Sequence, residues 1–113
     1  MSRHMDLVQR LKDCVLRGRG VTSPTLRQAA AVRAAEVAGL PPGEPPGEIP
    51  ADLRRYVETI GRHAYRITES DIAALRQAGW SEDEIFEVSI SAAVGAGMSR
   101  LERGLAALRG STR

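Results

Sequence analysis

The sequence predicts an all-α fold of about five helices, and three observations carry that prediction. Apolar residues recur at helical spacing in the long segments, and none shows convincing period-two alternation. Hydrophobic residues make up 42% of the 113-residue chain while aromatics are only 4%, so the apolar content is Ala, Leu, Val and Ile. That mixture suits closely packed helices better than a sheet. Finally, two near-copies of a helix-start signal occur, Ile67-Thr68-Glu69-Ser70-Asp71-Ile72 and Trp80-Ser81-Glu82-Asp83-Glu84-Ile85. Each puts a hydroxyl residue at the N-cap, an acid three places on and apolar residues on either side, so side chain and backbone can satisfy each other's donors.

Taken in order, the first helix is predicted over 5–16, with Leu7, Val8, Leu11, Val15 and Leu16 apolar, and ends at Gly18 and Gly20. Ser23-Pro24 opens a second, since a cap followed by proline is the preferred start. It runs over 26–38, stops at Gly39 and carries a weak alanine face that needs a partner to stay folded. Residues 40–50 hold five of the six prolines, together with Gly43 and Gly47, and read as an extended connection. A third helix begins at Ala51 or Asp52, with Leu53, Val57, Ile60, Ala64 and Ile67 spaced for one buried stripe. A short helix over 69–78 follows. Gly79 then supplies the left-handed residue at which helices commonly end. The last helix starts at Glu82 and continues to 108. Gly95-Ala96-Gly97 within it costs about 1 kcal/mol per glycine relative to alanine. Either a kink or a close backbone approach follows, and close approach is the favoured reading. We expect one domain, 1–113, made of an N-terminal helix pair (1–39), a Pro-rich linker (40–50) and a helix-turn-helix core (51–109).

Charge and composition narrow the function classes. Sixteen basic and fourteen acidic residues give a net charge of +2, and arginines alternate with carboxylates along the chain. That describes a mixed, solvated surface rather than a nucleic-acid footprint. The helix-turn-helix would present Glu82, Asp83, Glu84 and Glu87 to a polyanion, which argues against DNA. No apolar run is long enough to span a membrane, and the N-terminus lacks a secretory pattern, so the expectation is a cytoplasmic protein. Cys14 is the single cysteine and reads as a small hydrophobe on a helix, with a reactive thiol as the alternative.

Two residues are candidates for chemistry. His63 is a possible general acid/base, with Glu87 or Glu58 as partner and Tyr56 and Tyr65 nearby; the competing reading makes it a boundary histidine half-covering the core. His4 is given no role. The acids between Glu82 and Glu87 point in different directions and have no histidine within a turn, so they serve the positive helix end rather than a metal. Neither a metal nor a cofactor is expected. Ser91, Ala92, Ala93, Gly95, Ala96 and Gly97 form a small-residue strip whose functional reading is self-association, and a homo-oligomer is expected.

Residues 56–108 resemble the carboxymuconolactone decarboxylase and alkylhydroperoxidase D-like superfamily. The resemblance rests on Ala78-Gly79-Trp80-Ser81-Glu82-Asp83-Glu84-Ile85-Phe86-Glu87 followed by Ala92-Ala93-Val94-Gly95-Ala96, and covers about half the chain. It implies an all-helical subunit in a trimer, hexamer or similar ring, with active sites near subunit boundaries. The peroxidase branch uses a Cys-x-x-Cys pair and a histidine, with a glutamate upstream. Here Cys14 stands alone and far from the matching region, so dithiol peroxidase chemistry is not carried over. The decarboxylase branch uses polar side chains on a lactone acid. His63 is the residue to place in that role, with Arg62 and Arg66 as partners for a substrate carboxylate. Two expectations result: a family-like protein with a small-molecule ligand and unassigned substrate, or a non-enzymatic oligomeric interaction module.

Overall fold

The computed structural model describes residues 3–39 and 48–111, without the side chains of His4, Met5 and Ser111. Most of the expected linker, 40–47, and the side chain of His4 lie outside them. The described residues are helical and contain no strand: α1 (Arg3–Arg17), α2 (Pro24–Val37), α3 (Ala51–His63), a 3-10 turn (Ala64–Arg66), α4 (Glu69–Gln77) and α5 (Glu82–Ser111).

The local signals act as their chemistry requires. Ser23 Oγ accepts from the Leu26 amide at 3.1 Å at the start of α2. Both capping boxes form: Thr68 with Asp71, and Ser81 with Glu84, whose carboxylate accepts from the Ser81 amide at 2.8 Å while Ser81 Oγ accepts from the Glu84 amide at 3.1 Å. Between them α4 ends on Gly79 at φ +108°, with Trp80 N–H donating to Leu75 and Gly79 N–H to Arg76. This is the Schellman arrangement, and the Trp80 and Leu75 side chains join the core above it. Trp80 Nε1 donates to Asp52 at 2.7 Å, which ties the corner to the first turn of α3.

The third helix is shorter than its apolar spacing suggests. It ends at His63, Ala64 is exposed, and Ile67 packs on the core from extended backbone. The cause is the capping box that follows, because Thr68 needs a non-helical conformation and its preceding residue must turn in with it.

The alanine face of α2 finds its partner inside the chain. Helix α2 packs most extensively on α5 and next on α3. A Cβ at Gly95 would sit 2.6 Å from the Ala31 carbonyl carbon, and one at Gly61 would sit 2.8 Å from the Ala34 oxygen. Close approach, not a kink, therefore accounts for Gly95. Residue pairs fix the directions: Thr22 lies by Glu87, Ala31 by Gly95 and Ala38 by Arg103; Tyr56 lies by Ser89 and Gly61 by Arg100. Helices α2, α3 and α5 thus run in the same direction. The core between them is Ala30, Ala34, Leu53, Val57, Ile60, Ile85, Val88, Ala92 and Ala96, with Tyr56 at its edge and Leu75 added from α4.

Helix α1 is held differently. Leu16 is buried and Val8 and Val15 are half-buried, but Leu7, Leu11 and Cys14 are exposed. The reading of Cys14 as a packed small hydrophobe is therefore corrected. Helix α1 lies on the bundle with its Val8, Lys12, Val15, Leu16 side inward, roughly a quarter to a third of a turn from Leu11 and Leu7.

Candidate functional site

Glu87 is half-buried at the corner between α1 and α2. Its carboxylate accepts from the Val21 amide at 2.8 Å, the Thr22 amide at 2.9 Å and the Thr22 hydroxyl at 2.5 Å. Gly20 leaves the room, since a Cβ there would lie 2.6 Å from a Glu87 oxygen. Burial pushes this carboxyl up, yet the Thr22 hydroxyl, the two amides and the charge of Arg27 outweigh it and hold the group below its ordinary 4.5.

The opposite polarity of the same corner is met by Arg27, which is only 3% exposed. Its Nη1 donates to the Val15 carbonyl at 2.7 Å, and Nη2 donates to Gly18 at 2.5 Å and to Thr22 at 3.4 Å. The Val15 carbonyl lies in the last turn of α1, where carbonyls lack helical partners and the dipole favours a cation. One arginine and one glutamate thus take the carbonyls and the amides of one loop. Sequence reasoning missed Arg27 altogether. The available signal was its phase: Arg27, Ala31 and Ala34 fall on one side of α2, so it points inward with the alanines.

His63 lies elsewhere. It is exposed at the end of α3, and its ring meets Tyr65 edge-on at 5.6 Å between centroids. Arg66 stacks over the same Tyr65, 5.9 Å from the ring centre. Neither proposed carboxylate partner pairs with His63 in the hydrogen bonds and ion pairs of the described residues. Glu58 is engaged by Arg33 at 2.7 Å, by Arg54 at 3.4 Å and by Arg62 at 3.9 Å. Burial raises the Glu58 carboxyl, and the Arg33 hydrogen bond and charge, helped by Arg54 and Arg62, bring it below its ordinary value. Tyr56 is buried, with its hydroxyl 2.6 Å from Ser89 Oγ; because Ser89 donates to the Ile85 carbonyl, Tyr56 is the donor. Arg62 and Arg66 are both exposed.

Several grooves of about 360–400 Å³ open on the described surface, one of them against α1. About 400 Å³ lies between α1, α2 and α5, floored by Leu16, Ala31, Val32, Ala35 and Met98, with Lys12, Asp13 and Glu36 at its rim. Its lining includes neither His63 nor Glu87. Among the described residues no cluster of three or more side chains could hold a metal ion, and no helix is long and apolar enough to cross a membrane. Compared with protein-family models, curated proteins and solved structures, the chain gives no match.

Proposed function

We propose that this chain is a helical interaction module that assembles with copies of itself, rather than an enzyme acting through His63 and Glu87. The observation that carries this is the use of Glu87: its carboxylate accepts three hydrogen bonds from Val21 and Thr22, where it closes a loop. A relay would need that carboxylate beside a base, and His63 instead stands on the surface against Tyr65. Exposed Leu7, Leu11 and Phe86, with the lone exposed Cys14, fit a protein that covers apolar helix faces by association in a reducing compartment such as the cytoplasm. Sedimentation velocity across a wide concentration range tests the proposal. A mass above 12.2 kDa that His63→Ala leaves unchanged is the expected result, and a monomer at every concentration refutes it.

A second reading has one observation in its favour. The groove of about 400 Å³ falls in the size range of small-molecule sites, as a decarboxylase-like relative with an unassigned ligand would require. Thermal-shift screening against small lactones and carboxylic acids tests it. Stabilisation that Met98→Trp abolishes would support this reading, and stabilisation that follows His63 instead would return chemistry to that histidine.

A further inference from the structure

The groove against α1 differs from the other two in what its polar side chains are doing. Between α3 and α4, Asp52 accepts from Trp80, Tyr56 donates to Ser89 and Asp71 closes the Thr68 capping box. At the corner of α4 and α5, Arg76 pairs with Glu82. Against α1, Lys12 and Gln28 line the groove half-buried, and neither side chain has a hydrogen-bond or ion-pair partner among the described residues. Lys12 is also the one lysine in the sequence. The floor beside it is Leu16, Ala31, Val32, Ala35 and Met98, and no aromatic side chain lines the groove. Small aliphatic groups and one adaptable methionine suit an alkyl chain, and they offer a flat ring nothing to stack on.

From this we infer that the groove binds a linear monocarboxylate, a medium-chain alkyl acid whose head pairs with the Lys12 ammonium. This rests on the ligand reading of the same groove given above and supplies the ligand's charge and shape. Charge sets the direction. Arg17 and Gln28 lie at the end next to Gly18, whose carbonyl Arg27 holds. Glu36 and Glu102 lie at the other end, beside the contact of Arg103 with Ala38. Gln28 and Glu36 are eight residues apart on α2, so the groove runs about 12 Å along that helix. The chain of the acid lies over Ala31, Val32, Ala35 and Met98 and ends at the acidic side, where an anionic head would be repelled. Asp13 accepts from Gln9 at 3.1 Å and Glu36 stands 3.9 Å from Arg33, so neither takes up the Lys12 charge. One ammonium balances one carboxylate; the three acids of the rim, Asp13, Glu36 and Glu102, disfavour a dianion such as a phosphate monoester. The apolar floor beside the pair weakens solvent screening of it.

The lone lysine makes the test direct. Reductive methylation with carbon-13 formaldehyde labels Lys12 and the terminal amine and keeps both charges, so Lys12 gives one side-chain signal to follow by NMR. Decanoate, decanol and decyltrimethylammonium are titrated separately below their micelle-forming concentrations, against this chain and against unlabelled variants by calorimetry. Decanoate is expected to shift the Lys12 signal saturably and to bind about tenfold more tightly than decanol, with the cation weakest. Lys12→Met keeps the apolar stem and removes the charge, so it should abolish the preference for decanoate while leaving decanol binding unchanged. Met98→Trp fills the floor and should abolish binding of both. Decanoate binding that ignores Lys12→Met, or that survives Met98→Trp, would overturn the inference. Decanol or the cation binding as tightly as decanoate would overturn the head-group assignment while leaving the groove a ligand site. No saturable binding of decanoate would overturn the inference outright, and stabilisation by a lactone that Met98→Trp abolishes would then leave the ligand reading standing without it.

Discussion

The same substitution at two positions of α5 should act with opposite sign. At Gly95 an added Cβ would lie 2.6 Å from the Ala31 carbonyl carbon and 2.7 Å from its Cα, and closer still to the oxygen. These are backbone atoms of a packed helix, so α2 and α5 must separate. Overpacking of this kind costs about 1–3 kcal/mol. Replacing a mid-helix glycine returns about 1 kcal/mol, so Gly95→Ala should range from nearly neutral to a net loss of about 2 kcal/mol, and Gly95→Val should fall further. At Gly97 there is no neighbour within 4 Å, and Gly97→Ala should gain that same 1 kcal/mol. In a domain of this size the two variants should melt several degrees apart, because each kcal/mol moves Tm by about 4–8 °C. Far-UV circular dichroism with thermal and urea unfolding measures this, at concentrations low enough to keep the chain monomeric. Equal stabilities for Gly95→Ala and Gly97→Ala would refute the close approach of α2 and α5.

Other consequences are as specific. Arg27→Met strips donors from three carbonyls and should cost about 2–3 kcal/mol; Arg27→Lys should restore little, because a single ammonium cannot reproduce the fork between Val15 and Gly18. Glu87→Gln offers one carbonyl oxygen to three donors and should cost about 2 kcal/mol by urea unfolding. Glu58 and Glu87 both ionise at lower pH in the folded chain than in the unfolded one. As pH falls, the unfolded chain takes up protons first, so their stabilisation is complete above the ordinary 4.5 and is lost as pH drops through the lowered folded values. Removing both carboxylates should flatten the acid limb of the stability profile. Ser99 Oγ is buried without a partner, so Ser99→Ala should leave stability unchanged or raise it by up to about 1 kcal/mol.

Much of this fold was legible because its signals are local. Capping residues act over three positions and a glycine C-cap over six, so the corner at Gly79 and both flanking boxes could be read from adjacent residues. The Gly95 approach was legible as a cost needing a reason, but its agent was not: nothing near Gly95 names Ala31, sixty-four positions away. The end of α3 was misread because apolar spacing continues through Ala64 and Ile67 after the backbone has left the helix. The separation of His63 from Glu87 was hidden for a related reason. Glu87 has the residue type of an acid/base, but its partners are backbone amides at Val21 and Thr22, and backbone donors leave no mark in a residue pattern. His63 shares a bearing with buried Tyr56, yet it lies where the helix stops and the core no longer reaches.

The direction of the three core helices bears on how the chain is made. Thr22 meets Glu87 and Ala38 meets Arg103, each across 65 positions, so α2 depends on a helix synthesised well after it. Domains emerge N-terminus first at about 5–20 residues per second, and distant pairings form only after a large chain-closure entropy has been met. A nascent α2 must therefore wait, its alanines uncovered, until α5 has been synthesised, which makes the bundle an all-or-nothing product of translation: a message cut short before α5 leaves α2 and α3 without the helix that α2 packs on most.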